Sequence, residues 1–255
     1  FEYMYAASST TSPSHVSILT SLQPNQHGVI NNCYKLAEAV PRLPQWFVED
    51  GFKTGASLSV HHLINEYSGL GKWFDHYNHL ALKWMSIDKG MSHVTRGAFS
   101  TTSAAIDWLE NVHNDPFFLW VHYYDPHAPY LAEGEYHKKF YRGDPQSEEH
   151  HNMESVHIQK AKSQDFKDWV AAFRDVDYFR KEYGAEIAYV DSQIGRLLSS
   201  LKRLQIDENT LIVITGDHGE NLGEHEIYFD HWTLFNTDIH VPMIFWFPKH
   251  LPQGV

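Results

Sequence analysis

The run Thr210-Leu-Ile-Val-Ile-Thr215 is β-branched and apolar on both faces, and it breaks at Gly216 into Asp217-His218-Gly219-Glu220. A strand that alternates apolar and polar residues can leave one face in water, whereas one without alternation must be covered on both. FFLWVHY at 117–123 has the same character, and ASLSV at 56–60 reads as extended. Between these lie segments of helical pattern at 43–50 and 101–113. A third, at 185–204, carries Ile187, Val190, Ile194, Leu197, Leu198 and Leu201 at spacings of three and four, the stripe of an amphipathic helix. PMIFWFP at 242–248 is a further apolar strand candidate. Helices alternating with doubly buried strands predict an α/β layered domain around a mostly parallel sheet.

Composition removes several classes. The 255 residues hold 20 Lys plus Arg against 32 Asp plus Glu, a net charge of −12, which argues against a nucleic-acid surface because phosphate contacts need a basic excess. No apolar run approaches the roughly 18 residues of a membrane span. A single cysteine, Cys33, permits no internal disulfide and no thiolate zinc site. The 19 histidines direct the search toward metal and proton-transfer sites. FEYMYAAS at the start reads as strand and loop without the regions of a signal peptide, so the chain is expected to be a fragment, and its compartment, cytoplasmic or periplasmic, stays open. The polar stretch 133–164, with His137, His150, His151 and His157, predicts an inserted surface excursion or lid over about 133–180 rather than core. Adjacent loop residues such as His150 and His151 rarely converge on one ion. With no internal repeat and no linker, one domain is expected.

In open α/β sheets ligands bind beyond the carboxyl ends of the strands. ASLSV is followed there by His61 and His62, FFLWVHY by Tyr124, Asp125, Pro126 and His127, and TLIVITG by Asp217 and His218. A carboxylate and an imidazole leaving a buried strand together, between two glycines, suit a divalent cation; a polar strand-to-loop turn is the plain alternative. Near the start, Thr10-Thr11-Ser12-Pro13-Ser14-His15 precedes an apolar stretch. Ser12 is placed as N-cap and Pro13 as first helical residue. Such a helix start attracts phosphate or sulfate, and a hydroxyl there can serve as a nucleophile. Capping alone also explains the same residues.

Together these segments resemble the sulfatase branch of the alkaline phosphatase superfamily. The resemblance rests on Thr11-Ser12-Pro13-Ser14-His15, Leu19-Thr20-Ser21 and Pro24-Asn25-Gln26-His27-Gly28-Val29, then on GFKTG at 51–55, GLGKWFDHY at 69–77 and PFFLWVHYYDPHAPY at 116–130. It continues through EIAYVDSQIGRLL at 186–198, ITGDHGENLGEH at 214–225 and FDHWTLFNTDIHVPMIFW at 229–246. It implies an alkaline-phosphatase-like three-layer α/β/α fold, here lacking the first strand, with residues 1–255 forming a catalytic domain truncated at both ends. Position by position, it places Thr11 at the nucleophile, which also touches the metal, and Asp217 and His218 at metal ligands. His127 and His231 fall where the family contacts the transferring group or the leaving oxygen. His61 and His15 fall at substrate-binding positions, His15 where the family keeps arginine. Ser59 replaces a lysine, and the family's first acidic metal ligands would lie upstream of Phe1.

The resemblance implies one divalent metal ion, Mn, Ca, Zn or Mg, and a small anionic ester as substrate. Because the family's formylglycine derives from cysteine or serine, none is expected at Thr11. A threonine nucleophile leans toward phosphodiesters and phosphonate esters, as in the phosphodiesterase and phosphonate-hydrolase relatives, acting through a covalent intermediate. The alternatives are an arylsulfatase-type sulfuric ester hydrolase and a non-catalytic sulfatase-like binding module.

Overall fold

The computed structural model describes residues 1–79, 83–84, 94–149, 153 and 164–252. Helices α1 (Thr11–Thr20), α2 (Pro24–His27) and α3 (Leu43–Glu49) lead into strand β1 (Lys53–Ser57), short helix α4 (Asn65–Ser68) and strands β2 (His76–Asn78), β3 (Lys83–Trp84) and β4 (Val94–Thr95). Helix α5 (Ala98–Val112), strand β5 (Phe117–Val121) and helices α6 (Tyr136–Phe140), α7 (Gln164–Ala171) and α8 (Val176–Arg203) follow. The described chain closes with β6 (Ile212–Thr215), β7 (Asn221–Leu222), β8 (Tyr228–Asp230), α9 (Asn236–Ile239) and β9 (Met243–Trp246).

The parallel core has strand order β2-β1-β5, with Gly55 opposite His76 on one side and Leu119 on the other. Parallel neighbours need crossover connections, and helix α5, which leads into β5, packs on both β1 and β5. Gly55 is required by that packing: a Cβ there would sit 2.6 Å from Trp108 Cε2 of α5. Beneath lies a core of Val16 and Leu19 from α1, Ala56, Leu58 and Val60 along and after β1, and Leu63 and Leu70, with Phe118 and Trp120 of β5 against it. Strand β6 pairs antiparallel with β9, Ile214 opposite Ile244. The chain leaves β6 through the β7–β8 hairpin and α9 and re-enters at the same end, so β9 must run back. The mostly parallel expectation therefore holds for β2-β1-β5 but not for this pair. None of the described helices is long and apolar enough to cross a membrane.

Three further expectations change. Helix α8 begins nine residues before the expected start at 185, capped by Asp175, whose Oδ1 accepts the N–H of Asp177 at 2.9 Å. Its stripe is also rotated: Ile187 and Leu198 are exposed, while Glu182, Glu186, Tyr189, Val190 and Gln193 are buried. Second, the excursion at 133–180 is surface only in part. Residues 133–149 are largely exposed, but Phe166, Trp169, Val170, Val176 and Phe179 join Tyr130 and Phe229 in a second core, because the apolar residues begin just after the polar stretch ends. His150, His151 and His157 lie outside the described residues. Third, Ser12 is not the cap: α1 starts at Thr11, preceded by extended Thr10.

Candidate active site at the strand ends

Two connections bring the start of α1 against the end of β6. Ser14 Oγ donates to the Asp217 carbonyl at 2.6 Å, and His15 Nδ1 lies 3.4 Å from Asp217 Oδ2. Thr11, 8% exposed, opens this helix. The amides of its first turn are mostly committed: Ser12 N–H donates to Asn32 Oδ1 at 2.8 Å, Pro13 has none, and Ser14 N–H donates to the Thr10 carbonyl at 3.1 Å. The expected anion cradle of amides is therefore reduced to the start of the turn and the helix dipole.

Around Asp217 the structure gathers five imidazoles. His218 stacks on His231 with centroids 4.1 Å apart, and His127 meets His231 edge to face at 5.2 Å, their Nε2 atoms 3.2 Å apart. His122, at the end of β5, meets His15 at 4.8 Å. The rings share one orientation rule. Backbone carbonyls only accept, so a ring nitrogen bonded to one must carry the proton. Nδ1 of His15 donates to Thr11 O at 2.8 Å, that of His127 to Ala128 O at 2.7 Å, that of His218 to Gly219 O at 2.9 Å and that of His231 to Ser9 O at 2.6 Å. In His122 the same result comes through Ser59, whose hydroxyl donates to the His122 carbonyl at 2.7 Å and accepts from Nδ1 at 2.9 Å. In each of these rings the Nδ1 proton is thus committed, which leaves Nε2 as the nitrogen that can accept a cation or a proton, the Nε2 atoms of His127 and His231 facing each other.

Burial opposes ionisation of Asp217, but His218, His15, His122 and His231 outweigh it and hold the carboxyl well below the usual range. Burial pushes His15 down, against the pull of Asp217, and pushes His122 down to about 3, with His15 adding to the effect. His15, 5% exposed, is thus a buried imidazole turned to an acid, without the fixed charge of the arginine it was expected to stand in for. His61 is not brought to the group: it sits in a short turn with its ring against His62 at 3.8 Å and edge-on to Tyr67. His122 was missed, Ser59 was read only as the replacement for a lysine, and Tyr124, named at the end of β5, stacks on His127 at 4.5 Å. The signal for His122 was present, a polar residue inside an otherwise apolar strand run.

A divalent cation finds one face of a site here. Asp217 is an ionised carboxylate with the Nε2 of His218 at 3.5 Å from its Oδ2, donor chemistry that suits Mn, Zn, Ca or Mg. Among the described residues no three carboxylate, imidazole or thiol groups converge on a common point.

A sequence profile of the family described as Sulfatase matches residues 1–255. Iduronate 2-sulfatase of Homo sapiens is 28% identical over 292 residues, covering 97% of this chain and 53% of the relative. A protein solved in complex with its substrate D-glucosamine-2-N,6-O-disulfate superposes with a TM-score of 0.75 at 22% identity, covering 100% of this chain and 65% of that one. A phosphonate monoester hydrolase of Agrobacterium radiobacter does so with a TM-score of 0.73 at 19% identity, covering 97% and 60%. At such identities the superpositions show a common fold. The chain spans about half the length of the curated relatives it matches, 53% and 56% for two of them.

Proposed function

Since the chain belongs to the sulfatase family, we propose that it is most of the catalytic domain of a hydrolase of phosphate-type esters, phosphodiesters or phosphonate esters, with Thr11 as nucleophile. The observation that carries this reading is the convergence of α1, which opens at Thr11, with Asp217, His127, His218 and His231 at the strand ends.

Thr11, Asp217 and His218 would hold the divalent cation, which when bound supplies Lewis acidity toward the ester and lowers the pKa of a bound hydroxyl. Thr11 Oγ, its hydroxyl proton given up to solvent, attacks the phosphorus in line, and the α1 dipole favours the charge that develops there. His127 and His231 offer Nε2 atoms 3.2 Å apart, a spacing that accommodates one proton between them. From that pair the proton goes to the departing oxygen. Water then attacks the Thr11-bound ester and regenerates the hydroxyl. Residues 1–255 form one domain in this reading, with the stretch after Glu133 largely exposed as far as 149.

Sulfate esters are the second reading, favoured by the sulfatases among the relatives. Both are tested in the full-length protein with manganese, zinc, calcium or magnesium. A 4-nitrophenyl phosphonate ester or bis(4-nitrophenyl) phosphate should turn over, and Thr11→Ala should lower the rate by about a thousandfold or more. Undiminished activity in Thr11→Ala refutes the nucleophile. A preference of about tenfold or more for 4-nitrophenyl sulfate, roughly 1.4 kcal/mol in barrier, overturns the phosphate reading.

A further inference from the structure

Helix α8 carries a carboxyl where its buried face calls for an apolar side chain. Glu186 is 2% exposed and lies one turn before Val190. Its Oε1 accepts the N–H of Leu131 at 2.5 Å, and the His127 backbone is near enough to favour the charged form of the carboxyl. Leu131 closes the five-residue segment that His127 opens. Between them lies the Ala128 carbonyl that takes the Nδ1 proton of His127 and so points its Nε2 at the site.

We propose that Glu186 is the positioning residue for His127: anchored on α8, it holds the far end of the 127–131 loop through the Leu131 amide and so fixes where the imidazole Nε2 stands. This rests on the reading of His127 as a proton donor to the leaving oxygen.

A purely structural face of α8 would be served better by leucine. Burying a carboxyl costs several kcal/mol unless its oxygens are used. Yet Oε2 of Glu186 is buried without a hydrogen bond among the described residues, as is Oδ2 of neighbouring Asp125. What the carboxyl supplies and an alkyl group cannot is an acceptor for a loop amide, delivered from a 28-residue helix whose first turn is capped. Helices hold functional groups more tightly than loops do, and displacements near 1 Å at a reacting group cost large factors in rate. Burial, with Asp125 and Glu220 nearby, raises the Glu186 carboxyl well above its ordinary value.

The full-length enzyme is assayed on two esters of one acid, 4-nitrophenyl and phenyl phenylphosphonate. Nitrophenolate leaves without help and phenolate needs a proton, so faulty delivery slows the phenyl ester selectively, whereas loss of folded enzyme slows both alike. Glu186→Ala should lose about tenfold or more in kcat on the phenyl ester and about threefold or less on the nitrophenyl ester, with KM nearly unchanged. Glu186→Gln, which keeps an acceptor oxygen, should recover most of the phenyl ester rate. Equal losses on both esters, or no recovery with glutamine, overturn the proposal. If the alanine variant fails to fold, Glu186→Asp, which withdraws the acceptor by one methylene, carries the same comparison. His127→Ala separates the two layers. Selective loss there with none in the Glu186 variants refutes Glu186 alone, and absence of selective loss in His127→Ala refutes the proton donor and the positioning residue together.

Discussion

Asp125 lies at the mouth of the same loop, and burial raises its carboxyl from the ordinary 3.8 to about 6. The unfolded chain ionises this group from about pH 4 upward, but the folded chain only near pH 6. A carboxyl raised in this sense removes stability as pH climbs through that window and removes no more above it. The gap corresponds to about 3 kcal/mol in full, at about 1.4 kcal/mol per tenfold in proton affinity. Roughly half of it, about 1.4 kcal/mol, develops between pH 5 and 7.5. Asp125→Asn removes the ionisation, and whatever the amide gains or loses in packing is the same at every pH. Urea unfolding of both proteins at pH 5, 6, 6.5 and 7.5 therefore isolates the effect in the difference between them. That difference should move by about 1.4 kcal/mol in favour of the asparagine variant as pH rises. Because the Asp125 charge also raises Glu186, its removal adds in the same direction. A difference that stays flat within about 0.5 kcal/mol, or moves the other way, refutes the burial argument.

Phe179, fully buried between Trp169 at 4.9 Å and Phe229 at 4.8 Å, centres the second core, so Phe179→Ala should cost about 3–5 kcal/mol in urea unfolding; a cost under about 1.5 kcal/mol would show that this cluster closes without it. Gly55→Ala places a methyl 2.6 Å from the Trp108 indole and should cost about 1–3 kcal/mol while perturbing tryptophan fluorescence. Unchanged stability and emission would mean that α5 stands further from the sheet.

Much was legible because it is written in local chemistry. Strands β5 and β6 announce themselves by apolar runs without alternation, and the titratable residues after them, His127 and Asp217-His218, are brought together, the His127 and His218 rings 6.2 Å apart. The family was legible for a related reason: its ordered motifs sit at turns whose residues are constrained by their own backbone. The Ser12 cap misled because cap geometry depends on where the helix begins, and Asn32, twenty residues away, takes the Ser12 amide.

The sequence by itself determined the layered α/β class and strands β5, β6 and β9, which follow from periodicity, while strand ends and motifs resembling a family singled out Thr11, Asp217, His127, His218 and His231 as candidates. Only the tertiary structure decided which face of α8 is buried, that His122 belongs with His15 and Asp217 while His61 does not, and that a glutamate on α8 grips the loop of His127. Those outcomes depend on burial and on partners distant in the chain. A helix stripe read from its own apolar residues knows nothing of the loop that will be laid across it, nor of the carbonyl that will claim one nitrogen of each histidine.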